Sequence, residues 1–300
     1  MSDSFYMTEE EKLIFTLRSM WRKAGYTSYK VSQAEEYDFY VRNKEFLDNR
    51  EIITFPDRDG VLMALKSDVT LSLVKKMKSA DTVKRVMYNE KIYRIPQFSS
   101  SFREIEQTGL ECLGPLTTEN IVEVASLALS SLEKIGGRYC LTLSHMGIIN
   151  SVLEGVEEAR RDEIISLVKR RKTEELVRIG EEDERARKAC SLFVSLLDSR
   201  RTSQEIISCM RSSNLESKAV DELETVISSL GEENVVLDFS SLGAFGYYNG
   251  IIMKGFVEGF NRPVLLGGEY SLLLRRMNKD ISRALGFAIY MDELEEKEND

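Results

Sequence analysis

The chain has 300 residues, with 41 Lys and Arg against 50 Asp and Glu, for a formal charge of −9. Net acidity on this scale weighs against a protein that holds nucleic acid mainly through phosphate contacts, which needs a basic face. With 42% hydrophobic and 30% charged residues, the composition is that of a globular chain. It is long enough to bury about three quarters of its unfolded surface without disulfides or metal.

The first element is a helix. Thr8 and Glu11 form a capping box, and Glu9 and Glu10 place negative charge at the positive end of the dipole. Leu13, Ile14, Leu17, Met20 and Trp21 make one apolar stripe, and Gly25 is a natural C-cap. The stripe belongs either to the core or to a subunit interface. Residues 51–66 read as a hairpin, with EIITF and VLMALK joined by the turn DRDG. Ser67 or Asp68 then caps a short helix, TLSLVKKM. VMYNEKIYRI reads as a strand. After Pro96 and the loop QFSSS, FREIEQTGLECLG alternates with period two, so the two segments are expected to pair antiparallel.

A second strong helix starts at Thr117 or Thr118 and ends at Gly136-Gly137, followed by the strand RYCLTLSH. Residues 146–230 are charged and helical in pattern, and no proline lies between Pro115 and Pro263. Lys169, Arg170, Arg171 and Lys172 form a dense basic cluster there. Glu174, Glu175, Glu181 and Glu182 follow closely, so a solvated helix face is expected. The chain returns to strand at VVLDF, turns at SLGAFG, and continues through YYNGIIMKGFV and PVLLGGEYSLLLRR. ALGFAIYMDELEE reads as a strand running into a helix, and EEKEND as a frayed end. The expected fold is α+β: an antiparallel sheet flanked by helices. It divides into a core at 1–145 and 231–300 and a helical insertion at 146–230.

No run approaches the ~18 apolar residues of a membrane span, and MSDSFYMTEEEK lacks the order of a signal peptide. The cysteines at 112, 140, 190 and 209 form no CxxC, and free thiols in a reducing cytoplasm are expected. The single histidine, His145, excludes a two-histidine metal site and reads as a packed or capping residue. P-loop and dinucleotide-binding glycine patterns are absent; Gly243, Gly246 and Gly250 read as backbone freedom at a turn. What remains is a set of polar groups on otherwise apolar segments: Asp68, Thr70, Gln107, Glu111, Tyr248 and Tyr270. On a strand, Gln107 and Glu111 share a face, about 13 Å apart. They suit either a small pocket for a cationic ligand or structural salt bridges.

KIYRIPQFSSSFREIEQTGLECLG resembles the motif 2 region of class II histidyl-tRNA synthetases. ALKSDVT resembles that family's amine-binding segment, GYYNGIIMKGF its tyrosine-pair strand, and GGEYSLLL with ALGFAIYMDEL its last strand-and-helix segments. The resemblance implies a class II aminoacyl-tRNA synthetase-like sheet. It implies that Asp68 and Thr70 hold an amine, that Gln107 and Glu111 line an amino-acid pocket, and that Tyr248 and Tyr270 stand near an imidazole. Of the phosphate-binding set it leaves Arg94 and Arg103. Gly243 stands where the signature arginine would fall, and Glu293 where the motif 3 arginine would fall. A triphosphate needs cationic clamps, and a glutamate in place of one repels it. The 300 residues are also expected to leave no room for an anticodon-binding domain.

An amino-acid pocket kept beside a depleted phosphate site is similar to the regulatory subunit family of ATP phosphoribosyltransferase, a synthetase-like paralogue in histidine biosynthesis. The implied partners are a short-form catalytic subunit, free histidine and a second copy of the chain as homodimer; no catalytic residue, cofactor or metal is implied. A divergent synthetase-like enzyme that activates an amino acid with ATP is the alternative.

Overall fold

The computed structural model describes residues 7–47, 52–95, 101–242 and 247–295. The loop at 96–100, Gly243, Gly246 and residues 296–300 lie outside the described residues.

Helix α1 (Glu9–Lys23) forms as its sequence dictates. Thr8 Oγ1 accepts from the Glu11 amide at 3.1 Å, and the Glu11 carboxylate accepts from the Thr8 amide at 2.8 Å. Its stripe goes to the core: Leu17 and Trp21 are fully buried, and Trp21 packs edge-on against Phe287 with centroids 5.7 Å apart. A two-residue strand β1 (Thr27–Ser28) follows, then β2 (Ala34–Glu36) and α2 (Tyr37–Arg42). The expected hairpin is β3 (Thr54–Pro56) with β4 (Leu62–Leu65), paired Phe55 to Met63, and β2 completes a small three-stranded sheet. Helix α3 (Val69–Lys76) is capped by Asp68, whose carboxylate accepts from the Leu71 amide at 2.9 Å.

Strands β5 (Lys84–Arg94) and β6 (Arg103–Gly114) form a long antiparallel pair. Then come α4 (Thr118–Ile135) and β7 (Tyr139–His145). Six helices follow: α5 (Met146–Val152), α6 (Glu158–Lys169), α7 (Thr173–Glu182), α8 (Glu184–Leu196), α9 (Ser203–Ser212) and α10 (Ser217–Leu230). The basic cluster at the end of α6 is exposed, as a solvated face requires. The chain closes with β8 (Val235–Leu237), β9 (Ile251–Val257), β10 (Leu265–Glu269), α11 (Ser271–Arg276), β11 (Arg283–Tyr290) and α12 (Met291–Glu295).

Eight strands make one sheet in the order β1-β5-β6-β11-β10-β9-β7-β8. Its six central strands are antiparallel, as the sequence led one to expect; the two edge pairs, β1–β5 and β7–β8, are parallel. Strand alternation divides the side chains between two faces. Met87, Leu110, Cys112, Leu285, Phe287 and Ile289 join the core beneath α1 and α4. The opposite face carries Val86, Tyr88, Leu113 and Ala284, which pack with α3 and α11. No helix among the described residues is long and apolar enough to cross a membrane.

Candidate functional site

On that second face the sheet leaves a cavity of about 320 Å³. The register explains it. Glu111 pairs with Gly286, which pairs with Gly268; one step along, Gly109 pairs with Ala288. Small residues in the middle strands leave space that neighbouring large side chains border. The glycines are required: a Cβ on Gly286 would collide with the Glu111 carboxylate, and one on Gly109 would come within 2.7 Å of the Tyr88 ring.

Asp68, Thr70, Gln107, Glu111, Tyr248 and Tyr270 all line this one cavity, and so does Arg94. Asp68 and Thr70 arrive on the first turn of α3, Gln107 and Glu111 on β6, and Tyr270 at the start of α11. Arg103, the register partner of Arg94, is exposed at the outer end of β6 and does not line the cavity. His145 lies elsewhere. It caps α5, its Nδ1 accepting from the Gly147 amide at 3.0 Å. That leaves Nε2 to face the Glu222 carboxylate at 3.4 Å.

Glu111 is the electrostatic centre of the cavity. It is 2% exposed. Thr70 donates to its Oε1 at 3.0 Å, but Oε2 and the nearby Tyr270 hydroxyl are both buried without a hydrogen-bond partner. Burial pushes the Glu111 carboxyl up to about 8. The Tyr270 and Thr70 hydroxyls pull it down, and the Asp68 charge adds to the rise. Tyr270 therefore stands close enough to favour the charged form but outside hydrogen-bonding geometry. Burial likewise holds the hydroxyls of Tyr88, Tyr247 and Tyr270 well above the usual tyrosine range. These are neutral groups able to donate or accept.

Sequence reasoning passed over Tyr88, Tyr247, Lys254 and Tyr290, which also line the cavity. Tyr247 was within reach, since it stands beside Tyr248; the two rings meet edge-on at 4.9 Å, and Tyr247 lies 6.2 Å from Tyr270. Lys254 and Tyr290 gave no local signal, because their placement depends on the register of three or four strands.

Among the described residues, the cationic lining consists of Arg94 and Lys254. Arg94 donates from Nε to the Ser67 carbonyl at 3.1 Å. Glu293 is paired with Arg262 at 3.4 Å. The wall near Tyr270 is tied to the helices at 146–230. Glu269, next to Tyr270, pairs with Arg283 at 2.6 Å, and Arg283 pairs with Glu222 of α10 at 3.1 Å. Deeper in the fold, the buried Lys66 ammonium meets Glu90 at 2.5 Å, which ties the small sheet to β5.

The family profile described as histidyl-tRNA synthetase matches residues 6–294. Among curated relatives, the ATP phosphoribosyltransferase regulatory subunit of Alkaliphilus metalliredigens is 26% identical, over 93% of this chain and 74% of its own length. The same-named protein of Oceanobacillus iheyensis is 23% identical, over 95% and 73%. Among solved structures, an ATP phosphoribosyltransferase regulatory subunit/histidyl-tRNA synthetase from Bacillus halodurans superposes with a TM-score of 0.83 at 21% identity, covering 99% of this chain and 81% of that one. A chain of the ATP phosphoribosyltransferase complex from Thermotoga maritima gives 0.75 at 19% identity, covering 95% and 98%.

Proposed function

The chain belongs to the histidyl-tRNA synthetase family, and from that premise we propose that it is the non-catalytic regulatory subunit of ATP phosphoribosyltransferase. In this reading it activates a short-form catalytic subunit and senses free histidine. The names of the curated relatives support the first part. The observation that carries the second is the single cavity lined by Asp68, Thr70, Gln107, Glu111, Tyr248 and Tyr270.

Its chemistry suits a small amino acid with a basic ring. Asp68 offers a carboxylate to an ammonium group. Glu111 Oε2 and the Tyr270 hydroxyl, both lacking partners, can engage a polar heterocycle. A ligand N–H donated to Glu111 Oε2 would offset the desolvation cost of that buried oxygen. ATP is less well served, since Glu293 stands at the position where the family resemblance expects a phosphate-binding arginine. Regulation further requires that histidine bind the active and inhibited forms of the assembly with different affinity, because equal binding shifts nothing.

The test is co-purification with a short-form catalytic subunit, followed by assay of phosphoribosyl transfer with and without histidine. Activity is expected to rise when this chain is added and to fall when histidine is supplied. Sustained histidine-dependent pyrophosphate exchange by the chain alone would instead select an amino-acid-activating enzyme. Activation with no response to histidine would leave a scaffold.

A further inference from the structure

Lys254 has no role in the reading above, which leaves the carboxylate of an amino-acid ligand without an assigned partner. Lys254 lines the cavity on the same sheet face as Glu111: it pairs with Leu266, which pairs with Ala288, which pairs with Gly109. Among the described residues its ammonium makes no hydrogen bond or ion pair. The acid whose charge reaches it, Asp238, is held by Arg171 at 2.6 Å and by the Ser240 hydroxyl at 2.6 Å. Partial burial depresses the lysine, so an anion beside it would offset a real desolvation cost. The other lining cation, Arg94, is directed toward Ser67 at the α3 end of the cavity.

The register also sets the span. Glu111 and Lys254 stand three strands apart and two residues displaced, which puts their Cα atoms about 16 Å apart. Both side chains rise from the same face of the sheet, so their charged heads border the cavity three strands apart. We propose that Lys254 reads the ligand's carboxylate, so that the cavity selects an intact amino acid over its decarboxylated or reduced relatives. This assignment rests on the histidine reading above.

The test is calorimetry on the full chain with histidine, histidinol and histamine. Wild type is expected to bind histidine at least about ten-fold more tightly than the two analogues. In Lys254→Gln that preference should vanish, with analogue binding unchanged, and Lys254→Arg should retain it. Analogue binding also reports that the variant is folded; if Lys254→Gln is not, Lys254→Met keeps the apolar stem and replaces it. If the preference persists without Lys254, or is lost only in Arg94→Gln, the assignment is overturned. Equal wild-type affinity for all three ligands overturns it while sparing the histidine reading. Failure to bind any of them removes both.

Discussion

Glu111 combines deep burial, one hydroxyl donor and one unsatisfied oxygen. Its carboxyl, raised by burial to about 8, has an unfolded reference near 4.3. Below the unfolded value both states carry the proton, and the folded chain has its full relative advantage. As pH rises toward 8 the unfolded chain gives up a proton that the folded chain retains, so stability falls, by at most about 1.4 kcal/mol per pH unit. Urea titrations between pH 5 and 8 should therefore show a downward slope in wild type that Glu111→Gln flattens. Parallel curves for the two proteins would mean the carboxyl is not held neutral. Above about pH 8, where the carboxyl is ionised, the same substitution should weaken histidine binding by about 1.5–3 kcal/mol, the worth of a charge-assisted hydrogen bond.

At the scale of elements, the junction between α10 and the β10–β11 pair depends on one cation. Arg283 bridges two nearly buried carboxylates, Glu222 and Glu269. Burial works to raise Glu222, but the hydrogen bonds and charges of His145 and Arg283 outweigh it and bring the group to about 2. That stabilisation is present above the unfolded value near 4.3 and is lost as pH falls toward 2. Arg283→Met leaves the buried Glu269 without its cation and Glu222 with only His145, and is expected to cost about 3–5 kcal/mol. Urea denaturation should show the loss, and adding Glu222→Gln should recover part of it. A loss below about 1 kcal/mol would mean that water, not Arg283, satisfies these acids. Elements with strong local signals formed as read: the capping box of α1, the β3–β4 hairpin and the Asp68 cap. Residues 26–47 yielded little, because β1 and β2 are two and three residues long and exist only through pairing with β5 and β4.

At the scale of the whole molecule, the candidate site sits where α3, α11 and the central sheet meet, so a bound ligand stabilises the assembled fold rather than one segment. Histidine at about 100 times its dissociation constant should add about 2.7 kcal/mol. For 300 residues this corresponds to a rise of about 4 °C in Tm. Thermal unfolding with histidine, and with arginine as control, checks this; equal shifts would argue against a specific pocket. The amino-acid sequence by itself determined the α+β class, the helices at both ends of the first β-rich segment and the helical run after β7. Hydrophobic period, caps and turns are encoded locally. It also marked out Asp68, Thr70, Gln107, Glu111, Tyr248 and Tyr270, through short ordered motifs. Only the tertiary structure decided that these six share one cavity, that Arg103 stands outside it and that Lys254 stands within. Strand register decides which side chains meet, and register is fixed by pairings between residues up to about 180 positions apart, such as Glu111 with Gly286.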